Sequence, residues 1–233
     1  MDGKYSKVLT ILLIVAIVAI LLILLFLGVR IIRNNVVKSD YEGGADTFIE
    51  TAKNNNKNNN KNTNTSTTNS VNETGVEPVL GVENLLVNNT IVDGNSSGKK
   101  QTYKGFPQVG VIEIPTTKLK CPILEDASKS AIEVAVAVYD GVGLNKVGNT
   151  TIVGHNYRNG TFFSDNKKIA VGDKIYITDE TGNKVTYIVY NTVTTSPEDS
   201  SYFERDTEGA REITLDTCTD DTQSRFLVLA KEE

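Results

Sequence analysis

Arg211-Glu212-Ile213-Thr214-Leu215-Asp216-Thr217-Cys218 is followed by the six-residue turn Thr219–Ser224 and then by Arg225-Phe226-Leu227-Val228-Leu229-Ala230-Lys231. With a side-chain period of two, Ile213, Leu215 and Thr217 share one face of the first stretch. Thr214, Asp216 and Cys218 share the other, more polar face. The spacing predicts two strands joined by a short turn, with Cys218 closing one strand and Arg225 opening the next. The chain's only histidine, His155, lies 63 residues before Cys218.

Upstream, the same texture of short β-like runs divided by turns begins near Gln101. Val109–Ile114 reads as a strand stopped by Pro115. Lys118–Leu124 reads as another, and Pro122 within it demotes that strand to a sheet edge or a bulge. Asp126–Val134 reads as a short helix. Tyr139–Gly148, with its three glycines, reads as a loop, and Thr150–Val153 as a brief strand delivering Gly154-His155-Asn156. Lys174–Thr178 and Lys184–Thr194 flank Asp179–Asn183, a glycine-containing hairpin signal. Eight or so short strands with little helix over about 130 residues define an all-β barrel or sandwich.

The N-terminal half is built differently. Residues 1–7 form a short polar head, and Val8–Val29 gives 22 residues without a charge. At 1.5 Å per residue, that run is about as long as a bilayer core is thick. It is apolar all round, is closed by Arg30 and Arg33, and lacks a small-residue cleavage site, so it reads as an uncleaved signal anchor. Lys4 and Lys7 precede the run while Arg30, Arg33 and Lys38 follow it, so charge does not orient it. Residues 30–100 read as a disordered, Asn-rich tether. Asn54–Asn72 holds ten asparagines among Lys, Thr and Ser, and has almost nothing to bury. Within the tether, Val76–Val87 is more apolar and reads as a short helix or strand able to pack on the domain. Residues 101–233 are the folded domain.

Composition narrows the function. A net charge of -5 with no basic stripe argues against a nucleic-acid partner, and two cysteines are too few for a disulfide framework. One bridge, Cys121 to Cys218, is arithmetically open. A thiol, an imidazole and a guanidinium at strand edges are the parts of a thiol acyl-transfer site. The thiolate attacks, the imidazole shuttles the proton, and the guanidinium holds the oxyanion. These parts call for no cofactor or metal. Each residue also has a plainer reading: a strand cysteine as a small hydrophobe, a turn histidine as a solvated side chain, a strand-opening arginine as surface charge. Spacing alone does not bring the three together.

Thr214-Leu215-Asp216-Thr217-Cys218 with Arg225 resembles the sortase signature, Thr-Leu-x-Thr-Cys followed by a strand-opening Arg. Gly154-His155-Asn156 is similar to that family's histidine motif. Ile112-Glu113-Ile114-Pro115, Cys121-Pro122-Ile123 and Gly172-Asp173-Lys174-Ile175 extend the resemblance over roughly residues 105–233. It implies a closed eight-stranded β-barrel with short helices behind one transmembrane helix. It also implies a cysteine transpeptidase that cleaves a Leu-Pro-x-Thr-Gly-like sorting motif between Thr and Gly. The partners implied are secreted proteins bearing that motif and an amine of a peptidoglycan precursor or a pilin. The implied location is a single-pass anchor in the cell membrane with the catalytic domain outside. Cys218, His155 and Arg225 would be catalytic, and Thr217 would line the substrate site. The His155–Cys218 interval and the absence of a pilin-class lid suggest a class A- or D-like member. A tethered thiol protease using water and a non-catalytic surface adhesin are the alternatives, and a disulfide to Cys218 would block the nucleophile.

Overall fold

The computed structural model describes residues 2–62 and 100–233. A helix, α1 (Asp2–Asn62), precedes nine strands: β1 (Thr102–Tyr103), β2 (Phe106–Ile114), β3 (Leu119–Leu124), β4 (Val136–Gly141), β5 (Gly148–Val153), β6 (Lys174–Asp179), β7 (Lys184–Thr195), β8 (Arg211–Cys218) and β9 (Arg225–Glu232). A one-turn helix, α2 (Lys129–Ile132), lies between β3 and β4. The strands are ordered β1-β2-β3-β4-β5-β8-β9-β7-β6, and β2 also pairs with β6. That last pairing closes β2–β9 into an eight-stranded barrel and leaves β1 as a short flap. Most neighbours are antiparallel; β3 with β4 and β5 with β8 are parallel. The expected all-β, eight-stranded barrel behind a long apolar helix is the observed architecture.

Alternation fills the barrel. Ile112, Ile114, Ile123, Ile152, Ile175, Ile177, Val189 and Val228 are all fully buried. The β6–β7 hairpin forms where the turn chemistry allows it. Gly182 takes φ +79, and the Asp179 carboxylate accepts hydrogen bonds from the Thr181 and Asn183 backbone N–H groups. Pro122 is tolerated because β3 pairs with β4 only through Ile123 and Leu124. The part of β3 without a β4 partner lies under α1, where Gly44 comes close to Pro122.

Three expectations need correction. Tyr139–Gly141, read as loop, belongs to β4 and pairs with β5 through Gly141 and Thr150. Gly141 holds φ +115, and a Cβ there would meet the Asn149 carbonyl oxygen at 2.2 Å, so this glycine marks close strand pairing. The helix expected over Asp126–Val134 is a single turn. Residues 30–62, read as disordered tether, continue α1 without a break. Tyr41, Ala45, Phe48 and Ala52 fall at helical spacing and are at most 1% exposed. Ala45 and Phe48 pack on Val111 of β2, and the Tyr41 ring lies 5.8 Å from that of Phe162. This apolar stripe gives the segment something to bury, worth about 1.5–3 kcal/mol for each large side chain. Lys104–Asp40 and Lys120–Asp46 ion pairs flank it. The rest of the expected tether, with Val76–Val87, lies outside the described residues.

Candidate active site

Strands β5 and β8 run parallel and in register, Val153 opposite Asp216, so their C-terminal ends reach the same rim of the barrel. His155 leaves β5 there and Cys218 ends β8. Gly154 separates β5 from His155 at a point where a Cβ would come within 2.8 Å of Phe163 and Val136. Only glycine lets the chain turn so tightly against that packing.

The two motifs are tied together by polar contacts. The Gly154 N–H donates to the Asp216 carbonyl at 3.2 Å, and Thr217 Oγ1 donates to the Gly154 carbonyl at 2.7 Å. Asn156 Nδ2 donates to the Cys218 carbonyl and to Asp220 Oδ1, both at 3.0 Å. Lys167 also pairs with Asp220, and these contacts, Lys167 first, hold that carboxyl below its usual range.

Cys218 Sγ accepts a hydrogen bond from Arg225 Nη1 at 3.4 Å, directly across the β8–β9 pair. The guanidinium therefore places fixed positive charge where a sulfur anion or an adjacent oxyanion would form. Arg225 also faces Asp216 Oδ1 at 4.0 Å, too long for a hydrogen bond, and that buried oxygen has no other partner. Burial pushes the Asp216 carboxyl up, and Arg225 opposes that shift. On the far side, His155 Nε2 lies 3.4 Å from Glu133 Oε1, so a protonated ring would face a carboxylate. Glu133 Oε2 accepts a 2.6 Å bond from the Tyr157 hydroxyl, whose ring lies 4.9 Å from that of His155.

His155, Cys218 and Arg225 line one cleft of ≈ 280 Å³ with Asp216 in its wall. Ala127, Ile132, Tyr139, Pro197, Phe203 and Leu227 make the rest of it largely apolar. The β7–β8 loop that supplies Pro197 and Phe203 is held by Arg205, which bonds Glu212, Thr214 and the Tyr202 carbonyl. A smaller hollow of ≈ 130 Å³ reaches Cys218 as well, lined by Asn156, Lys167, Thr219 and Asp220.

The structure thus brings His155, Cys218 and Arg225 to one cleft. Thr217, expected to line the substrate site, is 2% exposed and donates its hydroxyl to the Gly154 carbonyl, bracing the His155 turn, and it lines the smaller hollow beside Cys218. The more polar face of β8 is buried as well: Thr214 is 0% and Asp216 5% exposed. Cys121 and Cys218 are both free thiols, so the arithmetically possible bridge is not formed. Sequence reasoning did not single out Glu133, because an acidic residue in the body of a predicted helix carries no signal of what it faces.

Fold and cleft define a closed all-β barrel with a thiol, an imidazole and a guanidinium at one rim. The chain belongs to the sortase family: the family model for the Sortase domain matches residues 112–233. It is similar to Sortase A of Bacillus anthracis, with 33% identity over 124 residues, covering 52% of this chain and 57% of that protein. The chain thus spans little more than half the length of that relative. Among solved structures, a lid mutant of Sortase A from Corynebacterium diphtheriae matches with a TM-score of 0.51 and 28% identity, over 55% of this chain and 71% of that one. A Clostridium perfringens Sortase D5 transpeptidase matches with a TM-score of 0.50 and 26% identity, over 55% and 79%.

Proposed function

We propose that this chain is a membrane-anchored cysteine transpeptidase acting outside the membrane on secreted proteins that carry a Leu-Pro-x-Thr-Gly-like sorting motif. The observation that carries the reading is the Arg225 Nη1–Cys218 Sγ contact of 3.4 Å in a cleft shared with His155. The apolar walls of that cleft suit the Leu-Pro part of the motif. The Cys218 thiolate attacks the Thr carbonyl carbon, and its oxygen takes up the negative charge beside Arg225. As the Thr–Gly bond breaks, His155 gives a proton to the departing amine, leaving a Cys218 thioacyl-enzyme. An acceptor amine then attacks the thioester and yields its proton to His155. The new amide forms, and Cys218 departs as thiolate. The smaller hollow on the Asn156–Asp220 side of Cys218 offers the acceptor its own approach.

In this reading residues 1–7 stay inside, residues 8–29 cross the membrane, and residues 101–233 are catalytic. The interval between His155 and Cys218 supports a class A- or D-like assignment. The test is to incubate the protein with a sorting-motif peptide and an amine such as triglycine, or a peptide carrying a free lysine. The expected product is the acyl–amine conjugate, lost in Cys218→Ala. Hydrolysis alone, unaffected by added amine, would reassign the protein as a thiol protease. Full activity in Cys218→Ala would end the reading.

A further inference from the structure

Helix α1 is continuous from Asp2 to Asn62 and touches the barrel from Asn34 to Asn56, so it serves as a ruler between the apolar run and the barrel. Asn34 exchanges side-chain hydrogen bonds with the Asn159 turn at 3.3 and 3.4 Å. Tyr41 meets Phe162, and Gly44 meets Tyr103 so closely that a Cβ would lie 2.5 Å from that ring. Phe48 meets Val111, and Ala52 and Asn56 meet the β6–β7 hairpin at Gly182 and Thr181. At a rise of about 1.5 Å per residue, Asn34 stands roughly 7–8 Å beyond Val29, the last residue of the charge-free run, and Ala52 roughly 35 Å beyond it. The polar layer of one bilayer leaflet is about 5–8 Å deep. If Val8–Val29 spans the membrane, as proposed above, the Asn159 turn therefore sits at headgroup height and the β6–β7 hairpin points away.

The side chains at that level suit the place. A groove of ≈ 380 Å³ between α1 and the barrel is lined by Phe26, Val29 and Arg33 on one side and by Tyr157 and Phe162 on the other. Phe26 and Val29 belong to the span itself, so barrel residues reach down to its edge. Tyr157 is 39% exposed and Arg158 is exposed; Arg30 and Arg33 line the groove with Tyr157, and Glu133, which accepts the Tyr157 hydroxyl, is the one acid among its lining residues. Amphipathic aromatics and cations are the residues that settle in an anionic interface.

We propose that the Tyr157–Gly160 turn rests in the headgroup layer of an anionic bilayer, with α1 fixing the barrel so that the His155 rim faces the membrane. The cleft then works within a few residues of the membrane surface, on peptides that emerge from the same bilayer. This rests on the anchoring reading, and the test separates the two. The chain contains no Trp, so a single introduced Trp reports its own depth. Full-length Leu22→Trp, Arg158→Trp and Glu180→Trp proteins are reconstituted in phosphatidylglycerol-containing vesicles whose acyl chains carry bromine close to the headgroup.

The expected result is strong quenching for Leu22→Trp and at least threefold more quenching for Arg158→Trp than for Glu180→Trp. Adding Gly44→Leu, which pries α1 from Tyr103, should lower the Arg158→Trp signal to that of Glu180→Trp. Tyr157→Trp carries the same probe should Arg158→Trp fold poorly. Strong quenching of Leu22→Trp with equal, weak quenching at the other two sites would overturn this inference and leave the anchor standing. So would a Gly44→Leu effect of zero. No quenching of Leu22→Trp would overturn both.

Discussion

The two cysteines occupy the same kind of element and have opposite surroundings. Cys121 lies within β3, fully buried among core side chains, and burial pushes its thiol up to about 12. Cys218 ends β8 at the barrel rim, is partly exposed, and has a guanidinium 3.4 Å from its sulfur. A strand position alone does not tell a structural thiol from a reactive one. What differs is the neighbouring charge and the access that the rim provides.

The largest effect expected from breaking this contrast comes at Cys218. Cys218→Ala should lower transpeptidation by a factor of about 10³ or more while thermal unfolding stays where it was. Arg225→Ala follows, with kcat/KM down by about 10²–10³ because the developing oxyanion loses its fixed charge. Arg225→Lys should recover part of that, since the charge returns without the planar fork.

Smaller effects test the walls around the contrast. Asp216 is a buried carboxylate facing Arg225 with one oxygen unpartnered, and its folded carboxyl titrates above the ordinary 3.8. A group raised on folding contributes stability below its unfolded value and loses it as pH climbs through the folded one. Asp216→Asn should therefore stabilise the protein at pH 7. That gain should vanish below about pH 4, as followed by thermal melts across pH. Cys121→Ala should leave kcat/KM within about twofold and lower stability by about 1–2 kcal/mol through the small cavity it opens.

Much of this was legible in the chain. β8 and β9 and the β6–β7 hairpin announce themselves by period and turn chemistry, and their boundaries fall within a residue or two of those expected. β4 was not legible: no strand was read over Val136–Val138, and Tyr139–Gly141 was read as loop. Its glycine reads as a breaker, whereas it permits close pairing with β5. Tyr41, Ala45, Phe48 and Ala52 were on the page as a helical stripe, yet the asparagine run beside them dominates any composition-based reading. In the site, Cys218, His155 and Arg225 were named from chemistry and resemblance. That they share a cleft follows from the parallel β5–β8 register, which no local pattern encodes. The partners of His155 and Arg225, Glu133 and Asp216, depend on that same long-range placement.

The central claim, that Cys218 and not Cys121 carries the acyl group, is tested most directly by intact-protein mass spectrometry after brief incubation with a sorting-motif peptide without an acceptor amine. The account predicts one added acyl fragment per chain, mapped by digestion to the peptide containing Cys218 and released by hydroxylamine. An adduct on Cys121, or peptide cleavage that persists in Cys218→Ala, would contradict it.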